Sequence, residues 1–292
     1  WQISDTGHLQ KPPVTIESTG LAWKKLKAAV SAAQDGDVIT IDGEIKATNT
    51  TGNNGGIIIS KNLKIRGNTG ADSNIIDANA SNLNPSKVDR IFIVQSGKTL
   101  TLKNLTLKGG QNTTGAFGCA ITVTGSSTAE LEDCVIDYCK AEHGGAIGCG
   151  KGTTVKLTNT TIKNCTANTG GNTGSGGAIY AEGATVEMTG CTLTGNEAKG
   201  LGGAIFATGS SVVMTNCTIT GNKAKYKGGA IYAAKTTSTN TLSSVTIEGG
   251  VIGGTEAEKA NKTTDTESEG GGIYMGLSCS LYLEDSTGSG GQ

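Results

Sequence analysis

Several things are scarce in this 292-residue sequence, and each scarcity removes a class of protein. Proline occurs three times and charged residues make up only 17 % of the chain, which excludes a proline-rich linker and a highly charged disordered segment. Glycine never falls into a G-X-Y period, which excludes collagen. Lys and Arg (24) balance Asp and Glu (25) to a net charge of −1, so no overall positive field draws the chain to nucleic acid or to an anionic membrane. No apolar run approaches the roughly 18 residues that cross a bilayer, and no C-terminal series of amphipathic ten-residue strands could build a barrel. The expectation is therefore no membrane insertion by this chain. Two histidines, no C-x-x-C pair and no G-G-x-G-x-D nonapeptide leave neither a zinc set nor a calcium roll, so no metal and no cofactor are expected. The chain opens on Trp1, not Met, and reads as a processed or trimmed polypeptide.

What is abundant is Gly, 46 residues, and Thr, 42 residues, with apolar side chains that are mostly small or β-branched. That composition suits strands and turns, in an all-β solenoid or sandwich. Internal repetition decides between them. Segments 154–165, 185–196 and 211–222 share the pattern Thr/Ser-Val-x-Leu/Met-Thr, then Asn or Gly, Thr or Cys, Thr-Ile/Leu, ending in Asn or Cys. A Gly-Gly-Ala-Ile block precedes each one, at Gly144–Ile147, Gly176–Ile179 and Gly202–Ile205, and a fourth stands at Gly228–Ile231. Gly271-Gly-Ile-Tyr274 and Gly118-Cys-Ala-Ile121 are variants. The first strand residue recurs at Leu63, Leu100, Ala129, Val155, Val186, Val212, Val245 and Leu281, a period of 26 residues stretched by insertions to as much as 37. One such unit cannot bury its own apolar face, whereas stacked parallel coils can. The fold expected is a single parallel β-helix of eight or nine coils over residues 38–292, running on past the C-terminus in a longer protein. Residues 1–37 are expected to form an N-terminal segment and a capping helix that presents Leu26, Ala29, Val30 and Ala33 to the core and covers the open end.

Repeated residues are read first as structural. Asn196 and Asn222 occupy equivalent turns in which side-chain amides can hydrogen-bond along the rod. The eight cysteines read as buried free thiols acting as small apolar residues, with Cys139 and Cys165 the pair best placed for a bridge. The residue after each block's Ile is aromatic at Tyr180, Phe206, Tyr232 and Tyr274, four of eleven aromatics in one column. If the Ile points inward, alternation turns these rings outward as a stripe able to stack on sugars or anchor a protein; if not, they form an internal stack. The densest acidic patch, Glu130, Glu132, Asp133 and Asp137, followed by Glu142 and His143, reads as a solvated strand face, because Lys156 and Thr158 replace the two glutamates in the next coil. No catalytic residue is assigned. Insertions at 68–89, 168–175, 235–240 and 255–269 are loops where specificity could sit.

The Gly-Gly-Ala-Ile block, paired with Leu193-Thr-Gly-Asn196 and Ile219-Thr-Gly-Asn222, resembles the repeats of chlamydial polymorphic membrane proteins, which carry GGA-aliphatic and F-x-x-N motifs. Here the Phe is aliphatic, and the Asn becomes Cys139 and Cys165 in two coils. The N-terminal helix and Asp35-Gly-Asp37 turn resemble the opening of the pectate-lyase-like β-helix superfamily. The resemblance implies a right-handed helix and an exported bacterial surface protein, an adhesin or autotransporter passenger. The function expected is accordingly a secreted or cell-surface adhesin-like rod, monomeric, whose partner is a host or matrix protein or a surface glycan. The alternatives are a polysaccharide lyase or glycoside hydrolase, marked by a carboxylate–basic cluster on one face, and a passive stalk.

Overall fold

The computed structural model describes residues 2–3, 9–10, 14–18, 21–83, 89–168, 173–237, 239–254, 256–257, 259–265 and 270–284. It is a parallel β-helix whose coils run through up to four short walls, the fourth built, among the described residues, only from Gln111–Phe117 onward. In one full coil these are Ile147–Cys149, Thr154–Thr158, Thr161–Lys163 and Thr166–Ala167. The wall that carries the Ile strands holds eight of them, from Ile57–Ile59 to Ile273–Met275, all in parallel register. The expected column is reproduced residue by residue, as Leu63 pairs with Leu100, then Ala129, Val155, Val186, Val212, Val245 and Leu281.

The two glycines of each block have different causes. Gly202 has φ +65°, a conformation that costs a Cβ-bearing residue dearly. Gly203 is held by space, because a Cβ there would lie 2.1 Å from the Gly229 carbonyl of the next coil. The following Ala-Ile pair then drops into the core. Ile121, Ile147, Ile179, Ile205 and Ile231 form a column with no solvent exposure. Each fully buried Ile contributes roughly 1.5–3 kcal/mol, and only because a coil above and one below supply the contacts.

At the N-terminal end the helix Ala22–Ala32 packs on the first coils, with Trp23, Leu26 and Val30 buried. Leu26, Val30 and Ala33 are buried as expected and Ala29 is half-buried. The indole N–H of Trp23 donates to the Gly55 carbonyl at 3.0 Å, fixing the helix on the open end. Val14–Glu17, expected in the N-terminal segment, pairs in parallel with Val38–Asp42 and extends the wall by one strand. Two of the expected insertions also belong to the coils. Segment 68–89 contains the wall strand Ile75–Asp77, and 255–269 contains Lys262–Thr263. Parts of the insertions, residues 84–88, 169–172, 238, 255, 258 and 266–269, lie outside the described residues.

Asn196, Asn222 and Asn261 stack in one buried corner. Each carboxamide oxygen accepts the backbone N–H of the preceding coil at 3.0 Å, from Cys165, Asn196 and Asn222 in turn. The same column continues as Cys165 and Cys139, where the thiols donate to the carbonyls of Lys163 and Asp137 two residues back. All eight cysteines are free thiols, and all but Cys279 are buried. Burial pushes the Cys134 thiol up to about 11 and the Cys149 thiol up to about 12.

Candidate functional site

The aromatic column faces outward. Because Ile179, Ile205 and Ile231 are buried, strand alternation puts Tyr180, Phe206 and Tyr232 on the outer surface, and each ring is half-buried by its neighbours. Successive rings stack: Tyr180 on Phe206 at 4.9 Å, Phe206 on Tyr232 at 5.2 Å and Tyr232 on Tyr274 at 5.1 Å, with planes parallel within 8°. The spacing is that of parallel coils, so the backbone period itself brings the rings into contact. Each such contact is worth about 0.5–1.5 kcal/mol beyond area burial. The rings cover one another's faces and leave to solvent a ribbon of ring edges and three phenol hydroxyls. Burial raises the pKa of Tyr180 and of Tyr232 above that of an exposed phenol.

Both ends of the ladder are built differently from its middle. At the C-terminal end the Lys227 ammonium lies 4.5 Å from the centroid of Tyr274. At the N-terminal end the residue in register with Tyr180 is Gly148, which has no ring. A side chain is excluded there, since a Cβ on Gly148 would lie 2.6 Å from the Phe117 carbonyl carbon. Phe117 and His143, themselves stacked at 5.4 Å, lean on Tyr180 at 44° and 45°. The ladder therefore includes two rings that sequence reasoning did not place. A signal for them exists, because Phe117 and His143 each stand immediately before a glycine block, at Gly118 and Gly144. The imidazole Nδ1 accepts the Ser175 N–H at 3.2 Å, and Nε2 lies 4.0 Å from Glu142. Burial lowers the His143 pKa, with Glu142 and Glu182 pulling the other way. A cleft of about 210 Å³ opens beside the tilted rings, lined by Phe117, Tyr180, Thr122, Thr124, Cys149 and Glu182 among others.

The acidic patch does not gather. Glu130 accepts from Thr101 at 3.2 Å, Glu132 pairs with Lys103 at 2.6 Å, Asp133 accepts from Asn159 at 3.3 Å and Asp137 pairs with Lys163 at 3.7 Å. Each carboxylate is held by a partner in an adjacent coil, the arrangement of a solvated strand face. Asp137 in fact belongs to a charge column of alternating sign: Lys46, Asp77, Lys108, Asp137 and Lys163, one per coil. A cleft of about 420 Å³ lies over its first half, lined by Lys46, Asp77, Lys108, Lys140 and the exposed Tyr138. Asp77 is 3 % exposed and takes Lys46 at 3.6 Å, while Tyr138 holds an uncommon φ of +50°. Among the described residues, no group of three or more His, Cys, Asp and Glu side chains is placed to hold a metal ion.

A family profile described as "Right handed beta helix region" matches residues 89–287. No curated protein and no solved structure matches the chain.

Proposed function

The chain belongs to the right-handed β-helix family, and from that premise we propose that it is an adhesin-like rod, exported to a bacterial cell surface, that binds a host or matrix ligand through the aromatic ladder. The observation that carries this reading is the ladder itself. Of eleven aromatic residues in the sequence, four are spent on one outward column that runs through four consecutive coils. Aromatic side chains concentrated on an outer face, rimmed by Lys227 and Glu182, have the make-up of a binding patch. Because the rings cover one another's faces, the ribbon suits a protein surface better than the face-on stacking of a sugar. The likeness of the Gly-Gly-Ala-Ile repeats to those of chlamydial polymorphic membrane proteins supports the cell-surface setting. The test is saturable adsorption of the chain to sensor surfaces coated with matrix proteins, mucin or polysaccharides, compared with a Phe206→Ser/Tyr232→Ser double variant. At least tenfold weaker binding of the variant is expected, and equal binding would reject the ladder as the contact surface.

A second reading rests on the Lys46–Asp77–Lys108–Lys140 cleft, where the buried Asp77 carboxylate shares one lining with three lysines. That is the arrangement a polysaccharide lyase or hydrolase would use. Loss of coated polysaccharide mass, abolished by Asp77→Asn, is its signature. No binding and no mass loss on any surface would favour a passive stalk.

A further inference from the structure

We propose that the cleft at the N-terminal end of the ladder, beside Phe117 and Tyr180, is a binding site for a methylated ammonium group. It shares Tyr180 with the ladder but needs no partner on the rest of it. Gly148 interrupts the ring column and Phe117 stands in its place, since a Cβ at 148 would lie 2.6 Å from the Phe117 carbonyl carbon; the cleft opens beside the tilted pair that results. Phe117 meets Tyr180 at 5.3 Å between centroids but at 44°, so the two rings form a wedge, unlike the parallel rings beyond Phe206.

What lines the wedge selects the ligand. Thr122 Oγ1 already donates to the carbonyls of Phe117 and Gly118 at 2.6 and 2.9 Å, and Thr124 Oγ1 donates to Val94 at 2.9 Å. The Cys149 thiol donates to the Tyr180 carbonyl at 3.3 Å, and the Tyr180 hydroxyl donates to Glu182 at 3.2 Å. Every side-chain donor of the cleft is thus committed, which leaves no side-chain donor for the ring and hydroxyl oxygens of a sugar. What remains is carbon, two aromatic rings and one carboxylate. Glu182 is exposed, and among the described residues no Lys or Arg pairs with it; its one hydrogen-bond partner is the Tyr180 hydroxyl. Aromatic rings beside a carboxylate that no cation neutralises attract a cation whose substituents are apolar. The volume, about 210 Å³, is below the roughly 300–1,000 Å³ of sites for drug-sized ligands and admits one such group on a chain leading out. A methylated lysine side chain and a choline headgroup share this chemistry.

Tetramethylammonium is the probe, titrated into the full chain while its methyl proton resonance is followed. Binding beside the rings should move that resonance upfield, saturably. Glu182→Gln should weaken binding about tenfold, the scale of losing a charged partner at a cation–π site. Tyr180→Leu should abolish the upfield shift while leaving the fold intact, because the side chain lies on the outer face. Tyr232→Ser, which disrupts the ladder farther along, should leave tetramethylammonium binding unchanged, so this site and the ladder fail separately. Comparing a trimethyl-lysine peptide with phosphocholine then distinguishes the two sources of the group. Three results would each overturn the proposal: no saturable shift, equal affinity for the neutral isostere 3,3-dimethylbutan-1-ol, or no change in Glu182→Gln.

Discussion

Truncation of Asn222 to Ala probes how the coils are tied together. The Asn222 side chain is fully buried and has five hydrogen-bond partners within reach. Its oxygen accepts the Asn196 backbone N–H and one Asn196 amide proton, and its two N–H groups are shared among the carbonyls of Leu193 and Thr220 and the side-chain oxygen of Asn261. The Asn222→Ala change would leave the Asn196 N–H without a partner in a corner with no solvent exposure, and the Leu193 carbonyl without its side-chain donor. A buried polar group left unsatisfied costs about 1–3 kcal/mol, so the stranded Asn196 N–H puts the loss at about 1–3 kcal/mol. The damage should be local in origin, because a coil is coupled chiefly to its neighbours. Urea unfolding reads the total, and hydrogen exchange reads the place: the amide protons of Asn196 and Thr218–Asn222 should exchange faster while those near Leu100 stay protected. A loss under about 0.5 kcal/mol, the scale of an ordinary surface change, would refute the idea that the amide column carries the corner.

Gly203→Ala should prevent the coils from closing, since its Cβ would meet the Gly229 carbonyl at 2.1 Å; soluble yield and thermal unfolding check this, with Gly150→Ala, open on every side, as the tolerated control. Cys149 contributes to alkaline unfolding. Burial raises its pKa from 9.0 to about 12, so the native state holds the proton that the unfolded chain releases. Stability is complete below pH 9 and falls as pH rises towards 12, by about 4 kcal/mol from this thiol. Cys149→Ala, the residue found in register at Ala181, should flatten that slope in pH-resolved denaturation. His143 acts at the other end of the scale. Its pKa is lowered by burial from 6.5, so the unfolded chain binds the proton more readily and stability is lost as pH falls below 6.5. His143→Gln, which retains an acceptor for the Ser175 N–H, should remove that acid-side dependence.

Much of this architecture can be read from the residues because a solenoid repeats its constraints. The Leu63 to Leu281 column follows from spacing alone, since each coil must present the same face to the same core. The corner column was legible at Asn196 and Asn222 but not at Asn261, because an insertion separates it from the strand Ser244–Ile252 and breaks the Thr-Gly-Asn spacing. Ile75–Asp77 was hidden for the same reason, as three residues of strand within twenty of loop give no period to detect. The direction of the aromatic rings could not be read, because alternation fixes only that Ile and ring point opposite ways, and which one faces the core depends on the width of the coil. Phe117 and His143 join the ladder from a neighbouring wall, a contact that no spacing along one strand encodes. Lys46 and Asp77 extend the charge column of Lys108, Asp137 and Lys163 into the first coils, where strands of three residues give no period to place them by.

Two outer surfaces compete for the role of contact site, and tyrosine footprinting separates them. The chain, bound to whichever coated ligand retains it, would be iodinated briefly and digested, and modification would be compared with the free chain. Tyr232 and Tyr274 lie on the ladder, whereas Tyr138, 63 % exposed, marks the lysine-rich cleft. Bound ligand is predicted to protect Tyr232 and Tyr274 and to leave Tyr138 as reactive as before. Protection of Tyr138 with the ladder unchanged would contradict the ladder as contact surface and move the site to the cleft around Asp77.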